Sequence, residues 1–214
     1  MEENNLQLQT PFGYVFGQDY VKEDLSELRS ISLFAEGLDQ KSYQSSSGEN
    51  PFNILEKYNY SKKILIKYFN KFVFNFYKKD VEFKITTSWA VKLERGECIH
   101  HHNHKNCLWS AIFYYGDYTN KSCPLFFRNP IVDTLPLCVE PAQRNPMLSD
   151  IAIPPEKNKL IFFPSWIYHW SYENQEETRY SLAFNFMPSG KIGGGDSTYH
   201  PRMMIDEKTP KGFA

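Results

Sequence analysis

The sequence predicts a mainly β fold with helices at its N-terminal end. After Asp80 the chain consists of short segments rich in β-branched and aromatic residues, separated by Pro, Gly and Asn. Many short strands with such turn signals are typical of a sandwich or a barrel. Before Asp80 the apolar residues repeat at helical spacing. The chain has 214 residues, 41% of them hydrophobic, which is enough for one domain with a sizeable core.

Two stretches before Asp80 have helical patterns. Residues 19–38 read as an amphipathic helix. Residues 51–79 read as a second helix that begins at Asn50-Pro51, because Asn is a favoured cap and Pro suits the first turn. Four apolar residues of this second helix, at spacings of 4, 3 and 4, predict a stripe that packs on the core: Leu65, Phe69, Phe72 and Phe76.

Five segments of the second half read as strands. They are 84–93, 108–116, 124–130, 159–167 and 178–186. We therefore expect one structural domain with three regions. These are an N-terminal helical and irregular region at 1–83 that packs on the core, a β core at 84–188, and a Gly-rich C-terminal arm at 189–214.

The composition argues against nucleic-acid and membrane proteins. Lys and Arg number 24 and Asp and Glu number 25, so the formal net charge is −1. There is no overall basic field, which argues mildly against binding of duplex DNA. No apolar run approaches the roughly 20 residues that a membrane-spanning helix needs.

The N-terminus and the cysteines indicate a cytoplasmic protein. The first ten residues are polar and acidic, unlike a secretory signal. The four cysteines contain no C-x-x-C pair, so we expect reduced and mostly buried thiols. A homo-oligomer is compatible with the sequence, which does not specify the oligomeric state.

Histidines cluster as they do in metal sites. Four lie in one five-residue window, at His100, His101, His102 and His104, and His169 follows a predicted strand. Imidazole suits first-row metals, and histidines at i and i+2 of an extended backbone point to the same side. A third imidazole from a distant segment would complete one face of a metal site and leave the other face open. The residues alone also allow a solvated histidine loop, or a zinc site with Cys98 or Cys107, although that spacing fits no standard structural-zinc pattern.

The last predicted strand has two unlike faces. One face is small and polar and carries Arg179, Ser181, Ala183 and Asn185. The other face is bulky and apolar and carries Tyr180, Leu182, Phe184 and Phe186. An inward-facing Arg needs a partner, and a ligand carboxylate fits its bidentate fork. The alternative is an outward-facing Arg179 that pairs with Glu176 or Glu177.

Taken together, these residues resemble the iron(II)- and 2-oxoglutarate-dependent oxygenases, and more narrowly the 2OG-Fe(II) oxygenase family of bacteria and marine phages. The similarity covers roughly residues 84–187 and includes the ten-residue step from His169 to Arg179. Its four motifs are His102-Asn103-His104-Lys105-Asn106, the Ser110–Tyr115 strand, Phe163-Pro164-Ser165 before His169, and Arg179-Tyr180-Ser181 in the strand that contains Asn185.

This resemblance implies a double-stranded β-helix, a jelly-roll with a cupin-like core, and a dioxygenase that hydroxylates an unknown substrate with release of succinate and CO₂. It implies that Fe(II) is held by His102, His104 and His169, and that O₂ and 2-oxoglutarate are cosubstrates. The residues that it implies around 2-oxoglutarate are Arg179, Ser181, Tyr114, Ser110 and Asn185. A phage-encoded member would act in the host cytoplasm.

One departure from the wider superfamily leaves alternatives open. Most such oxygenases have a carboxylate two residues after the first histidine, and this chain has His104 there. Three neutral imidazoles also suit a three-His cupin-type metal enzyme that does not use 2-oxoglutarate. A non-enzymatic β-barrel binding domain is a further alternative. A register in which His100 pairs with His102 is open as well.

Overall fold

A computed structural model describes residues 15–31, 53–74, 82–130, 150–192 and 203–205. The helical elements with described bounds are helix α1 (Asn59–Val73) and two 3₁₀ turns (Ser26–Arg29 and Ile54–Lys57), and Ser30 and Ile31 are also helical. The strands are β1 (Gly17–Tyr20), β2 (Phe83–Glu94), β3 (Trp109–Phe113), β4 (Leu125–Phe127), β5 (Ile151–Ile153), β6 (Lys159–Pro164), β7 (His169–Trp170), β8 (Thr178–Pro188), β9 (Gly190–Ile192) and β10 (Met203–Ile205).

The strands form two main antiparallel sheets. The larger sheet has the order β1-β6-β3-β8-β2, and the smaller sheet has the order β5-β4-β7. Side chains of both sheets, such as Ile112 and Phe163 from the larger and Leu125 and Phe127 from the smaller, share one buried cluster. The mainly β prediction is therefore confirmed. The double-stranded β-helix and the division at 1–83, 84–188 and 189–214 stay predictions.

The larger sheet has an apolar layer on each face. Leu182, Phe184 and Phe186 of β8 pack in the cluster that contains α1, whereas Arg179 and Ser181 line a cavity on the opposite face. The alternation predicted for this strand is thus observed. It leaves the polar residues of β8 between the two sheets, where the site lies.

Helix α1 is shorter than predicted. It begins at Asn59, because the preceding residues are tied to β2: Asn53 forms a bridge with Ser88, and the Leu55 N–H donates to the Ser88 hydroxyl at 2.9 Å. Phe69 is fully buried and stacks on Phe186 with ring centroids 3.7 Å apart. The stripe that includes Leu65 and Phe69 is a packing face, and Phe76 lies outside the described residues.

The helix predicted over residues 19–38 is wrong at its start. Gly17–Tyr20 is strand β1, which pairs with β6, and a 3₁₀ turn at Ser26–Arg29 follows. Pairing with the edge of β6 satisfies backbone groups that a helix would satisfy internally. Gly17 also lets α1 approach, because a Cβ there would lie 2.5 Å from the Phe72 ring. Residues 32–38 lie outside the described part.

The five predicted strands are present, with ends shifted by a few residues. The prediction missed β1, β5 and β7, which have two to four residues each and are too short for a periodic signal. In the region predicted as a Gly-rich arm, β9 pairs with β10.

The described residues include three of the four cysteines and the helices that bear on the membrane prediction. Cys98, Cys107 and Cys123 are free thiols there, and Cys138 lies outside them. None of the described helices has the length and apolar character needed to cross a membrane. The cytoplasmic location stays a prediction.

Candidate metal centre

Backbone pairing brings two distant histidine segments together. His102 and His169 form an antiparallel bridge in which each N–H donates to the carbonyl of the other, at 3.1 and 2.8 Å. Two residues further, the His104 N–H donates to the Ser165 carbonyl at 2.9 Å. The segment before β3 therefore runs beside the β6–β7 connection. This pairing explains why a motif near residue 102 and another near residue 169 share one site.

Three imidazoles converge at this bridge. One ring nitrogen from each of His102, His104 and His169 lies within 4.8 Å of those of the other two. The ring centroids of His102 and His169 are 4.3 Å apart, and His104 lies 4.9 Å from His169. His169 is buried, and the other two are half-buried. The arrangement offers three nitrogen ligands on one side of a common centre.

Carbonyl acceptors fix the ring orientation of two of these histidines. His102 Nδ1 lies 2.7 Å from the His100 carbonyl, and His169 Nδ1 lies 3.1 Å from the Ile167 carbonyl. Since a carbonyl oxygen only accepts, both rings carry their hydrogen on Nδ1. Their Nε2 atoms keep a lone pair for a metal, which is the usual role of such a supporting contact.

His104 is supported by side chains instead. Its Nδ1 lies 2.9 Å from Asn185 Oδ1 and 2.8 Å from the Ser110 hydroxyl. Its Nε2 is buried and has no hydrogen-bond partner among the described residues. A buried ring nitrogen without a partner is costly unless something binds it, and a metal ion would satisfy it.

The surroundings keep all three imidazoles neutral. Burial lowers the pKa of His104 to about 4, and the neighbouring His102 adds to the effect. Burial likewise holds the pKa of His169 well below its ordinary value and lowers that of His102. The neutral ring is the form that ligates metals, so the site is prepared for a cation.

The other members of the histidine run lie apart from this group. His101 is exposed and stacks on Tyr168, with ring centroids 4.8 Å apart. His100 is exposed at the rim of the cavity. In the described part of the chain, the group with metal-ligand geometry contains neither of them, and neither Cys98 nor Cys107.

A cavity of about 340 Å³ connects the histidines with Arg179. Its walls are mostly apolar, and none of the described residues that line it is acidic. The lining residues are Trp89, Val91, Ile99, His100, His102, His104, Ile112, Leu125, His169, Arg179, Ser181 and Ala183. Such a space admits a small molecule and keeps most water away from it.

Arg179 is buried and has no carboxylate partner among the described residues. Its side chain is 1% exposed, and Nη2 donates to the Tyr114 hydroxyl at 2.9 Å. Nε and Nη1 have no hydrogen-bond partner among the described residues, so the alternative pairing with Glu176 or Glu177 is wrong. An unpaired buried charge costs several kcal/mol, and a carboxylate that enters the cavity would remove that cost.

The remaining predicted residues fall into two places. Tyr114 is buried beside Arg179, and Ser181 lines the cavity next to it. Burial raises the pKa of the Tyr114 phenol, which therefore keeps its proton. Ser110 and Asn185 do not line the cavity. They contact His104 at Nδ1, the ring nitrogen other than the unpartnered Nε2. No sequence pattern pointed to Thr87, which accepts a hydrogen bond from Asn185, because that contact depends on strand register.

Comparison with known proteins agrees with this geometry. Residues 87–185 match the model of a family described as "Putative 2OG-Fe(II) oxygenase". No curated protein sequence matches the chain significantly.

Several solved structures share the fold. A 2OG-Fe(II) oxygenase family protein from Burkholderia pseudomallei is 12% identical with a TM-score of 0.51, and the match covers 80% of this chain and 83% of that one. AviO1 from Streptomyces viridochromogenes Tue57 is 14% identical with a TM-score of 0.55, over 89% of this chain and 93% of its own. The non-heme alpha ketoglutarate dependent epimerase SnoN is 12% identical with a TM-score of 0.55, over 83% and 77%.

Proposed function

Because residues 87–185 belong to the 2OG-Fe(II) oxygenases, we propose that this protein is an Fe(II)- and 2-oxoglutarate-dependent dioxygenase that hydroxylates its substrate. The observation that supports this most strongly is one cavity with two unsatisfied groups. The first is the buried His104 Nε2, and the second is the Arg179 guanidinium through its Nε and Nη1. None of these three atoms has a hydrogen-bond partner among the described residues. A metal ion suits the first group, and the far carboxylate of 2-oxoglutarate suits the second.

The residues fit a divalent metal. His102, His104 and His169 would hold it through Nε2, since each Nδ1 faces an acceptor oxygen. Three neutral ligands leave the full double charge of the ion in place, which favours an anionic chelating cosubstrate. When bound, iron supplies the oxidative chemistry that converts 2-oxoglutarate to succinate and CO₂ and hydroxylates the substrate.

The residues also fit the dicarboxylate. Arg179 Nε and Nη1 have no hydrogen-bond partner among the described residues, so the guanidinium can donate charge-assisted hydrogen bonds to a carboxylate that enters the cavity. Ser181 lies in the same wall and supplies a hydroxyl donor. The Tyr114 hydroxyl accepts a hydrogen bond from Arg179 Nη2 and so holds the guanidinium in place. These three residues fix one end of the cosubstrate and so orient its other end toward the histidines.

The apolar walls have a separate role. Trp89, Val91, Ile99 and Leu125 surround the space between the histidines and Arg179. They strengthen the ion pair at Arg179 by excluding water, because charges attract more strongly where the local dielectric constant is low. They also protect reactive species from side reactions with solvent.

The test is a succinate-release assay. We expect purified protein with Fe(II), ascorbate and 2-oxoglutarate to release succinate under air, slowly without substrate and faster when a screen supplies the right one. The release should stop without O₂ or when a chelator removes iron. Absence of succinate across all substrate classes, from protein that carries stoichiometric iron, would contradict the proposal.

A second function is favoured by one observation. The three-histidine set contains no carboxylate, which suits a cupin-type metal oxygenase that does not use 2-oxoglutarate. Such an enzyme has no need for a buried, unpaired Arg179 beside the metal site. The two functions differ in the same assay, because the cupin-type enzyme would consume O₂ with its substrate and release no succinate.

A further inference from the structure

A row of three polar side chains crosses the larger sheet behind His104. Asn185 on β8 is the register partner of Ser110 on β3 and of Thr87 on β2. Ser110 is fully buried and Asn185 is buried, so water does not satisfy these groups. The register of β2 shifts between Ile85 and Thr87, and such a bulge re-aims the side chains that follow it. The row is therefore a product of the sheet and not of a flexible loop.

The hydrogen bonds in this row have a fixed direction. Asn185 Nδ2 lies 2.9 Å from Thr87 Oγ1, and an amide nitrogen only donates. Asn185 Oδ1 therefore faces the other way, toward the Ser110 hydroxyl at 2.8 Å and His104 Nδ1 at 2.9 Å. Because this oxygen only accepts, His104 must carry its hydrogen on Nδ1.

We propose that Asn185 is a positioning residue that holds His104 in the Nδ1–H tautomer and thereby keeps the Nε2 lone pair directed at the metal. Thr87 and Ser110 fix the orientation of the amide. This inference rests on the proposed function for the presence of a metal. Asn185 and Ser110 then support His104 and do not contact the cosubstrate directly.

His104 is the ligand that most needs such support. His102 and His169 are oriented by backbone carbonyls, which no substitution at their acceptor residues removes. His104 depends on a side chain that can be replaced. An apolar side chain at position 185 would remove the acceptor that Asn185 Oδ1 provides. It would also release the Ser110 hydroxyl hydrogen, which now points to Asn185 Oδ1, to donate to His104 Nδ1. The ring could then adopt the Nε2–H tautomer, which cannot ligate through Nε2.

The first experiment measures Mn(II) binding by equilibrium dialysis. We expect Asn185→Leu to weaken binding about 10- to 100-fold, the usual effect of losing such a support. Asn185→Asp should bind at least as tightly as the wild type, because its carboxylate accepts from His104 and the Thr87 hydroxyl can turn to donate to it. Thr87→Val should weaken binding several-fold.

The matched control is Ser88→Ala. Ser88 follows Thr87 on β2, is equally a hydroxyl residue, and accepts from the Leu55 N–H on the helical side of the sheet. We expect its replacement to leave Mn(II) affinity unchanged. A loss equal to that of Thr87→Val would show that any damage to β2 weakens the site, which would overturn the role of the row.

The second experiment reads the tautomer by long-range ¹H–¹⁵N NMR of the metal-free protein. The wild type and Asn185→Asp should show Nδ1–H at His104, and Asn185→Leu should shift toward Nε2–H. Unchanged Nδ1–H and unchanged Mn(II) affinity in Asn185→Leu would overturn the inference. If Asn185→Leu does not fold, the same two readouts on Thr87→Val decide. A wild type that binds no Mn(II) would contradict the proposed function. The NMR comparison of the His104 tautomer in metal-free wild type and Asn185→Leu would still decide the role of Asn185.

Discussion

We expect that replacing His169 with alanine abolishes metal retention. His169 is 2% exposed and brings the ring nitrogen of the second chain segment close to those of His102 and His104. Without it, two half-buried imidazoles remain, and two neutral nitrogen ligands cannot hold Fe(II) against buffer and water. We expect less than one tenth of the wild-type iron content after gel filtration, by elemental analysis of protein purified without a histidine tag, and affinity lower by at least about 100-fold.

The matched control for this prediction is His101→Ala. His101 belongs to the same histidine run but stacks on Tyr168 and packs at a tilt against Trp170, outside the group of three histidines. Its loss should leave the metal content at the wild-type value. The backbone bridge between residues 102 and 169 does not depend on the imidazole, so circular dichroism should show that His169→Ala is folded. Stoichiometric iron in folded His169→Ala would exclude this residue as a ligand.

We expect that replacing Arg179 with alanine leaves the metal in place and raises the 2-oxoglutarate concentration needed for turnover. Arg179 is not a ligand, and its free N–H groups face the cavity that the histidines share. A hydrogen bond to a charged group contributes about 1.5–3 kcal/mol, so the half-saturating concentration should rise about 10- to 100-fold or more. Succinate release as a function of 2-oxoglutarate concentration measures this shift.

Two further variants separate charge from geometry. Arg179→Lys keeps the positive charge but loses the planar fork, so its 2-oxoglutarate requirement should lie between those of the wild type and the alanine variant. Arg128→Ala is the control. Arg128 does not line the cavity, and its Nη1 lies 3.3 Å from Asp150 Oδ2. It should leave the requirement unchanged. Normal consumption of 2-oxoglutarate by Arg179→Ala would show that the cosubstrate binds elsewhere.

The parts of the site that could be predicted from the sequence are those set by local periodicity or by a dense motif. Alternation along β8 puts Arg179 and Ser181 on one face and Leu182 and Phe184 on the other, since strand side chains change sides at every residue. The histidine window and the Phe-Pro-Ser turn before His169 named the three converging imidazoles only together with the resemblance to the oxygenases, because the residues alone left the pairing of His100 with His102 open.

The parts that could not be predicted depend on pairing between distant segments. The two-residue strand β7 exists because it pairs with β4, and the bridge of His102 with His169 has no local pattern. The contact of Asn185 with His104 follows from the register of β8 against β2 and β3. The start of the helix predicted over 19–38 was wrong for the same reason, because the edge of β6 pairs with Gly17–Tyr20 as a strand.

An anaerobic titration of the Fe(II)-loaded wild type with 2-oxoglutarate, followed by visible absorption, shows whether iron and the cosubstrate occupy this cavity together. If three imidazoles hold iron in the cavity that Arg179 shares, a weak charge-transfer band should appear and saturate at one equivalent. In Arg179→Ala the same band should require much more 2-oxoglutarate. Iron-loaded wild type that develops no band at any 2-oxoglutarate concentration would contradict the account.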